Sequence, residues 1–520
     1  MKLTLLLLLS FSYALNAQLP GSLNPMFSEN GWDTLYGNNN GFEIKNIVVQ
    51  TDNKIIACAE GNFSNEGHQA ILIRYNPDGS RDMNFGGADG IVKSSGDGIG
   101  LYTRADGMAL QSSGKIIIAG DQLYDTERIF RLNVDGTKDI TFGTNGVINI
   151  NRSNSEFIYH AAVQSDDKII ICGKESRFVS GDIEPHVFLW RFTANGIPDS
   201  TFGTFGVVSY NSEAWLGAFE TYLKINDLII LPNDQILINQ TFTKNPFSFV
   251  MLSKFNSDGM IDQSFGENGH SIKSTRSNDG NYTYSSSVVH ENGSIISTST
   301  IRDTVNSTYS ESIFRVNDQG QIDPSFNISI NQNEVFTMYN KLAISGNVFY
   351  YLRKITDGAQ SQNYNTISCF DLNGNIVNGF GTNGVSTINQ NNIPLSVSGD
   401  LVVSQNGSIT ICEGMLDPIN TDNTNFLTYQ IIGAENNVSI NENDSENKLI
   451  IYPNPAYYKS SVNIAGLAQN EIVEIRDING RIIKSVISSN EQVLSMDFSE
   501  ISAGVYFVKV GSKFKKLILQ

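Results

Sequence analysis

Cysteine is scarce in this chain of 520 residues: Cys58, Cys172, Cys369 and Cys412 are the four. Three of them stand four residues after Lys54, Lys168 and Ser408, at one position of a repeat set out below. Side chains at equivalent positions of different repeats point the same way rather than at one another. These cysteines therefore read as buried strand residues, not as a disulfide or metal framework. Histidine is almost as sparse, and His68, His160, His186, His270 and His290 show no pairing at metal-ligand spacing; surface or loop positions are expected for them. Basic residues are outnumbered, 35 Lys and Arg against 53 Asp and Glu, for a net charge of −18. Such a surface repels phosphate backbones and anionic lipid, which argues against nucleic acid or a membrane surface as partner. Long apolar runs are missing too, and no transmembrane segment is expected. What remains is 40% hydrophobic, enough for a core, with 45 glycines beside 12 prolines, the mark of a turn-rich β chain.

Catalytic signatures are also lacking. No H-E-x-x-H, G-x-S-x-G or P-loop pattern occurs, and no cofactor is implied. Asn76-x-Asp78-Gly79-x-x-Asp82 has the outline of a calcium loop, which needs an oxygen ligand five residues before the glycine. That position holds Arg74, Arg131, Arg191, Lys254, Arg315 and Cys369 in successive copies. A cation there repels calcium, so no metal is expected and the turns satisfy their own backbone by Asx bonding.

The chain opens with Lys2, the leucine run Leu3 to Leu9 and a small residue at Ala17, which reads as a secretory signal peptide over residues 1–17, cut before Gln18. Beyond it one stretch recurs, first seen as Arg74 to Gly90: a turn, an aspartate three residues after its glycine, then Phe-Gly and a further glycine. The copies are anchored at Phe27, Phe85, Phe142, Phe202, Phe265, Phe326 and Phe380, at intervals of 54 to 63 residues. Each repeat also offers a hairpin, around Gln50, Gln111, Gln164, Pro232, His290, Ser345 and Gln405, and material for four short strands. Seven motifs and seven hairpins predict an all-β fold, a seven-bladed β-propeller over residues 18–432, with the seven phenylalanines buried near the blade junctions.

If strands continue on both sides of the turn, the first residue of each motif faces the aspartate eight residues on. The pairs are Arg74 with Asp82, Arg131 with Asp139, Arg191 with Asp199, Lys254 with Asp262 and Arg315 with Asp323. In the last copy both partners are lost together, as Cys369 and Val377. Paired presence and paired loss predict structural ion pairs that lock each blade to the next. The copy that is whole, Asp135-Gly136-Thr137-Lys138-Asp139-Ile140-Thr141-Phe142-Gly143-Thr144-Asn145-Gly146, resembles the delta-60 repeat family over roughly residues 19–432. That resemblance implies a bacterial, surface or extracellular β-propeller and lends no activity. Asn327, in place of the glycine after Phe326, and Val377, in place of the aspartate, mark two blades whose loops are expected to deviate.

Residues 433–448, rich in Asn, Glu and Ser without hydrophobic periodicity, read as a flexible linker. Past it the charge changes sign: residues 449–520 hold eight Lys or Arg against six Asp or Glu, leaving the preceding part at −20. Strand runs alternate with tight turns there, including Asn479-Gly480, a strong hairpin signal, and predict a small immunoglobulin-like β-sandwich. Tyr452-Pro453-Asn454-Pro455, Asp477-Ile478-Asn479-Gly480-Arg481, Ala503-Gly504-Val505-Tyr506 and Lys515-Lys516-Leu517 together resemble the C-terminal sorting domain of the type IX secretion system. By that resemblance the domain is recognised by the secretion machinery and removed on the way out, and the mature protein is extracellular or attached to the surface of a Gram-negative bacterium.

Two function classes are carried forward. One is a non-enzymatic binding, adhesion or structural propeller with a glycan or surface-protein ligand, which loops such as Asn211 to Tyr222, with Trp215 and Phe219, favour. The other is a secreted hydrolase with a carboxylate pair in the propeller channel, which would leave no sequence signature.

Overall fold

A computed structural model describes residues 20–434 and 450–519, apart from short segments that are mostly loops, such as 95–104, 212–221, 277–284 and 453–460. The signal peptide, most of the linker, Trp215, Phe219, Pro453, Asn454, Pro455 and Gly480 lie outside the described residues. The chain divides into two units, 1–436 and 437–520.

The first unit is a β-propeller of seven four-stranded antiparallel sheets. Blades one to six span residues 43–93, 107–150, 156–211, 222–276, 287–332 and 335–388. Blade seven takes three strands from residues 396–431 and its outermost strand, Trp32–Leu35, from the other end of the chain, so Trp32 pairs with Tyr429 and Leu35 with Phe426. The first strands of neighbouring blades pack on one another, and that of blade seven touches those of blades six and one, which closes the ring around a central channel.

Each junction between blades is filled by a hydrophobic cluster, and each of these clusters contains one motif phenylalanine. All seven are at most 3% exposed. The apolar residues come from alternate positions of the second and third strands. Ile56, Cys58 and Leu72 face blade two, whereas Ile55, Ala57, Ile71 and Ile73 face blade seven. Period-two alternation thus serves two interfaces from one sheet. All four cysteines are buried, and none forms a disulfide.

The second unit has sheets of three and four strands: 450–452, 461–465 and 493–497 in one, 472–476, 482–487, 504–510 and 513–519 in the other. Between them lies a core that includes Val462, Ile464, Val473, Ile475, Val508 and Leu517.

One boundary needs correction. Gly433 and Ala434, read from sequence as the start of the linker, belong to the propeller. Ala434 N–H donates to Tyr350 Oη at 2.9 Å, and a Cβ on Gly433 would strike the Gly407 carbonyl.

Candidate functional site

The repeated turn is the most heavily furnished part of each blade. In Asn76-Pro77-Asp78-Gly79 the glycine adopts φ +82°, and Asn76 N–H donates to Ser80 C=O at 2.8 Å. Asp82 N–H then donates to Arg74 C=O at 2.9 Å, which sets the two side chains side by side. Arg74 Nε lies 2.9 Å from Asp82 Oδ2, and the corresponding contacts are 2.7 Å for Arg131 and Asp139, 2.9 Å for Arg191 and Asp199, and 3.2 Å for Lys254 Nζ and Asp262. Arg315 Nη2 reaches Asp323 at 2.6 Å. Each cation also lies over the ring of its motif phenylalanine, from Arg74 over Phe85 at 4.4 Å to Lys254 over Phe265 at 5.6 Å. The ring face thus supplies what water would have given the buried guanidinium.

The carboxylate does not make the link to the next blade; the ion pair joins the third strand of a blade to its own turn. The outer guanidinium nitrogen makes the link. Arg131 Nη1 donates to Ala194 C=O at 2.6 Å and Arg315 Nη1 to Leu372 C=O at 2.7 Å, while Arg74 and Arg191 reach Val134 and Ser257 in the same way. In blades one to three a second cation completes the site. Lys54, Lys115 and Lys168 stand 2.9, 2.7 and 3.4 Å from the same carboxylate oxygen of Asp82, Asp139 and Asp199. Sequence reasoning used two of these lysines as register marks and missed their role.

The glycine after each phenylalanine makes a further joint. Gly86 N–H donates to Asp135 C=O, Gly203 to Asp258, Gly266 to Gln319 and Gly381 to Pro20, each in the following blade. These glycines have φ between +52° and +67°, and an added Cβ would collide with a nearby carbonyl. The Cβ of Asn327 would meet that carbonyl in the same place, and here the chain instead runs straight through as the strand Ile322–Gln332. Val377 departs less than expected. Its N–H still donates to Cys369 C=O at 2.9 Å, with apolar side chains where the ion pair stands elsewhere.

The central channel brings together residues that no motif singled out. Five first strands carry a bulge, and at one common register level each blade places one residue opposite the second strand. In ring order these are Asn46, Gly107, His160, Asp227, Ser286, Lys341 and Asp400. Several reach the next blade: Asp227 Oδ2 accepts Ser287 N–H at 2.8 Å, Ser286 Oγ accepts Leu342 N–H at 3.2 Å, and Asp400 accepts the Ile47 N–H. Lys341 Nζ lies 3.5 Å from Asp227 Oδ1. Burial pushes the Asp400 carboxyl up, opposed by Lys341. Burial also disfavours the Lys341 ammonium, but Asp227 and Asp400 outweigh it and hold its pKa above the usual value. Nearby, Lys45 Nζ sits 3.1 Å from Glu43, 3.3 Å from Asp106 and 3.7 Å from Glu60.

His160, His186 and His270 lie in strands, away from the surface or loop placement expected of them. His160 belongs to the channel ring, where burial pushes it down to about 4. His270 is 8% exposed in blade four, its Nδ1 2.9 Å from Ser253 Oγ, and burial lowers it to about 4 as well. Among the described residues no group of three or more His, Cys, Asp or Glu is placed to hold a metal ion, and no helix is long and apolar enough to cross a membrane.

In the second unit Gly504 opens a strand in which Tyr506, 8% exposed, pairs with Leu517, and Lys515 and Lys516 stand opposite Val508 and Phe507. Tyr452 closes the strand Ile450–Tyr452.

Residues 50–85, 111–142 and 164–202 match the sequence model of a family described as a domain of unknown function (DUF5122) beta-propeller. Each match runs from the buried glutamine before the first hairpin to the motif phenylalanine, in the three blades that hold the second lysine. Residues 450–520 match the secretion system C-terminal sorting domain. Among solved structures the chain is similar to PorZ of Porphyromonas gingivalis, described as an essential bacterial surface component of the type-IX secretion system. The two are 14% identical over 93% of this chain and 60% of that one, with a TM-score of 0.38. It is also similar to the β-propeller domain of the Trilobed protease from Pyrococcus furiosus (9% identity, 72% and 90% covered, TM-score 0.38). A third is an α-L-arabinofuranosidase from Fusarium graminearum (12% identity, 66% and 98% covered, TM-score 0.39). No curated protein matches. The sorting domain implies interaction with the type IX secretion machinery and export across the outer membrane, to the cell surface or the extracellular space. The chain therefore joins a β-propeller with DUF5122 repeats to a type IX secretion C-terminal sorting domain.

Proposed function

We propose that the mature propeller acts at or beyond the cell surface by binding rather than by catalysis. The observation that carries this reading is the state of the channel carboxylates. Glycoside hydrolysis needs two carboxyl groups free to face a substrate. Asp227 is already held by Ser287 N–H and Lys341, and Asp400 by Ile47 N–H beside the same ammonium, so both serve to tie first strands together. Binding suits the build of the blades. The hairpin turns and the repeated turns share one end of every sheet, and the links between them fasten that end. The opposite end carries the connections from blade to blade, which vary from two residues, 333–334, to thirteen, 94–106. Variable connections on a fastened scaffold suit selection of a glycan or a surface protein.

A channel hydrolase remains the second reading, favoured by Asp400, whose burial holds a proton more readily than an exposed carboxyl does. One screen of the exported protein against polysaccharides and outer-membrane fractions separates the two. Retention without product is expected; released sugar, lost in Asp400→Asn, would replace binding with hydrolysis.

A further inference from the structure

Four blades with an Arg-Asp pair allow an internal comparison, and one of them is incomplete. In blades one to three the residue before the second strand is Lys54, Lys115 or Lys168, and its ammonium shares the aspartate Oδ2 with the arginine Nε. In blade five the residue before the strand Ile295–Asp303 is Ser294. Arg315 and Asp323 are present, but 27% and 25% exposed, against 4% and 5% for Arg131 and Asp139. Both Arg315 Nε, at 3.2 Å, and Nη2, at 2.6 Å, turn onto Asp323 Oδ2, the oxygen that in the other three blades is shared between the arginine Nε and a lysine.

Beside them opens a cavity of about 260 Å³ bounded by Ser294, Arg315, Asn317, Gln321, Asp323 and Pro324. By register it is the space through which the lysine stem runs in the other three blades. Blade seven is the control within the chain. Ser408 stands at the lysine position there as well, but the pair beside it is Asn24 with Gln430, without charge, so that blade offers a cation nothing. Only in blade five, among the blades with an Arg-Asp pair, does a carboxylate adjoin an empty lysine place.

We propose that this cavity binds the lysine side chain of a partner protein, with its ammonium on Asp323 Oδ2 and its stem along Pro324. The three filled copies specify the ligand class: an unbranched alkyl chain ending in a primary ammonium. An amino sugar carries its nitrogen on a branched ring carbon and fits the place less well. The site lies at the fastened end of the blade and involves no channel residue, so its failure leaves the binding reading above untouched.

The probe is Nα-acetyl-lysine methylamide, titrated onto the intact chain by isotope-edited NMR or calorimetry at low salt, with glucosamine in a parallel arm. An exposed carboxylate gives weak, salt-sensitive binding, and saturation in the millimolar range is expected. Ser294→Lys should fill the place from within and weaken binding at least tenfold, as should the uncharged filler Ser294→Met and the neutral Asp323→Asn. Ser294→Ala should bind as the parent does. No saturable binding to the parent, binding undiminished in whichever filled variants keep the parent circular dichroism, or glucosamine bound as tightly as the lysine derivative would each overturn the proposal.

Discussion

Asn24 Nδ2 donates to Gln430 Oε1 at 2.6 Å across 406 residues of sequence, and Asn24 N–H donates to the Gln430 carbonyl at 2.8 Å. This is the place that Asp82 and Arg74 occupy in blade one, rebuilt from the two ends of the propeller without charge. Gly21, Asn24 and Phe27 keep the spacing of Gly79, Asp82 and Phe85. The segment before Trp32 is therefore the missing turn of blade seven, and the ring is closed by a motif shared between its ends. Removal of residues 20–35 exposes the cluster around Phe27 and leaves blade seven with three strands. That variant should melt early and over a broad range, followed by thermal circular dichroism, whereas Asn24→Ala, which loses the side-chain bonds to Gln430 Oε1 and from Met26 N–H, should cost only about 1–3 kcal/mol.

The pair of Arg131 and Asp139 is buried, so the loss of one partner differs from the loss of both. Asp139→Leu leaves Arg131 and Lys115 facing an apolar side chain and should cost about 3–5 kcal/mol; Arg131→Met leaves the carboxylate with Lys115 and should cost less. A double variant should recover part of the sum, measured as non-additivity in a denaturant cycle. Strictly additive losses would mean that each side chain acts through its other contacts, Arg131 through the Ala194 carbonyl and Asp139 through Thr141.

These pairs were readable because a fixed offset of eight residues spans one tight turn, and because Cys369 and Val377 lose both partners together. Lys115 was not readable in that way. It lies 24 residues before Asp139, whereas Lys54 lies 28 before Asp82, because the hairpin between them changes length from blade to blade. The channel ring escaped for a different reason: the blades share its position but not its chemistry, so Gly107, His160 and Lys341 form no pattern. His160 and His270 were misplaced since a lone histidine carries no periodicity, and only the register of its strand decides its burial. The blade count was secure because burial of the seven phenylalanines and the period of the turns arise from one motif.

Acid should weaken the propeller in two stages. Burial holds His160 and His270 near 4, below their ordinary value of 6.5, so between those limits the unfolded chain binds protons that the folded chain does not. Stability then falls as pH falls through that window. The aspartates follow. Hydrogen bonds from Ser325 and Arg315 hold Asp323 down to about 2, and at Asp139 burial is outweighed by Lys115, Thr141 and Arg131. Their contribution is complete above about pH 3.9 and is lost as pH drops through the folded values. Glu413, which burial raises to about 7, and Asp400, also raised by burial, take up protons on folding in the same window and offset part of this loss, so the readout is a difference: between pH 6.5 and 4 the parent's denaturant midpoint should move downward relative to that of a double variant, His160→Gln with His270→Gln. The same pH dependence in the parent and in the double variant between pH 6.5 and 4 would contradict the histidine stage.

Export should remove the second unit at a place the packing confines. A protease needs several residues of extended chain that are free of other bonds. Gly433 is pressed against the Gly407 carbonyl, and Ala434 N–H is bonded to Tyr350 Oη, so neither is offered for cleavage while the propeller is folded. The strand Ile450–Tyr452 is engaged with Ala465 to Asn463 on the other side. The cut is thereby expected between residues 435 and 449, and the extracellular form should begin at Gln18 and end within that stretch. Intact-mass measurement of the protein in culture medium and on washed cells checks both ends, and a chain ended at residue 449 should accumulate in the periplasm with its propeller folded. An extracellular species that still carries Tyr506 would show that the sorting domain is retained, and export of the shortened chain would show that the propeller carries a signal of its own.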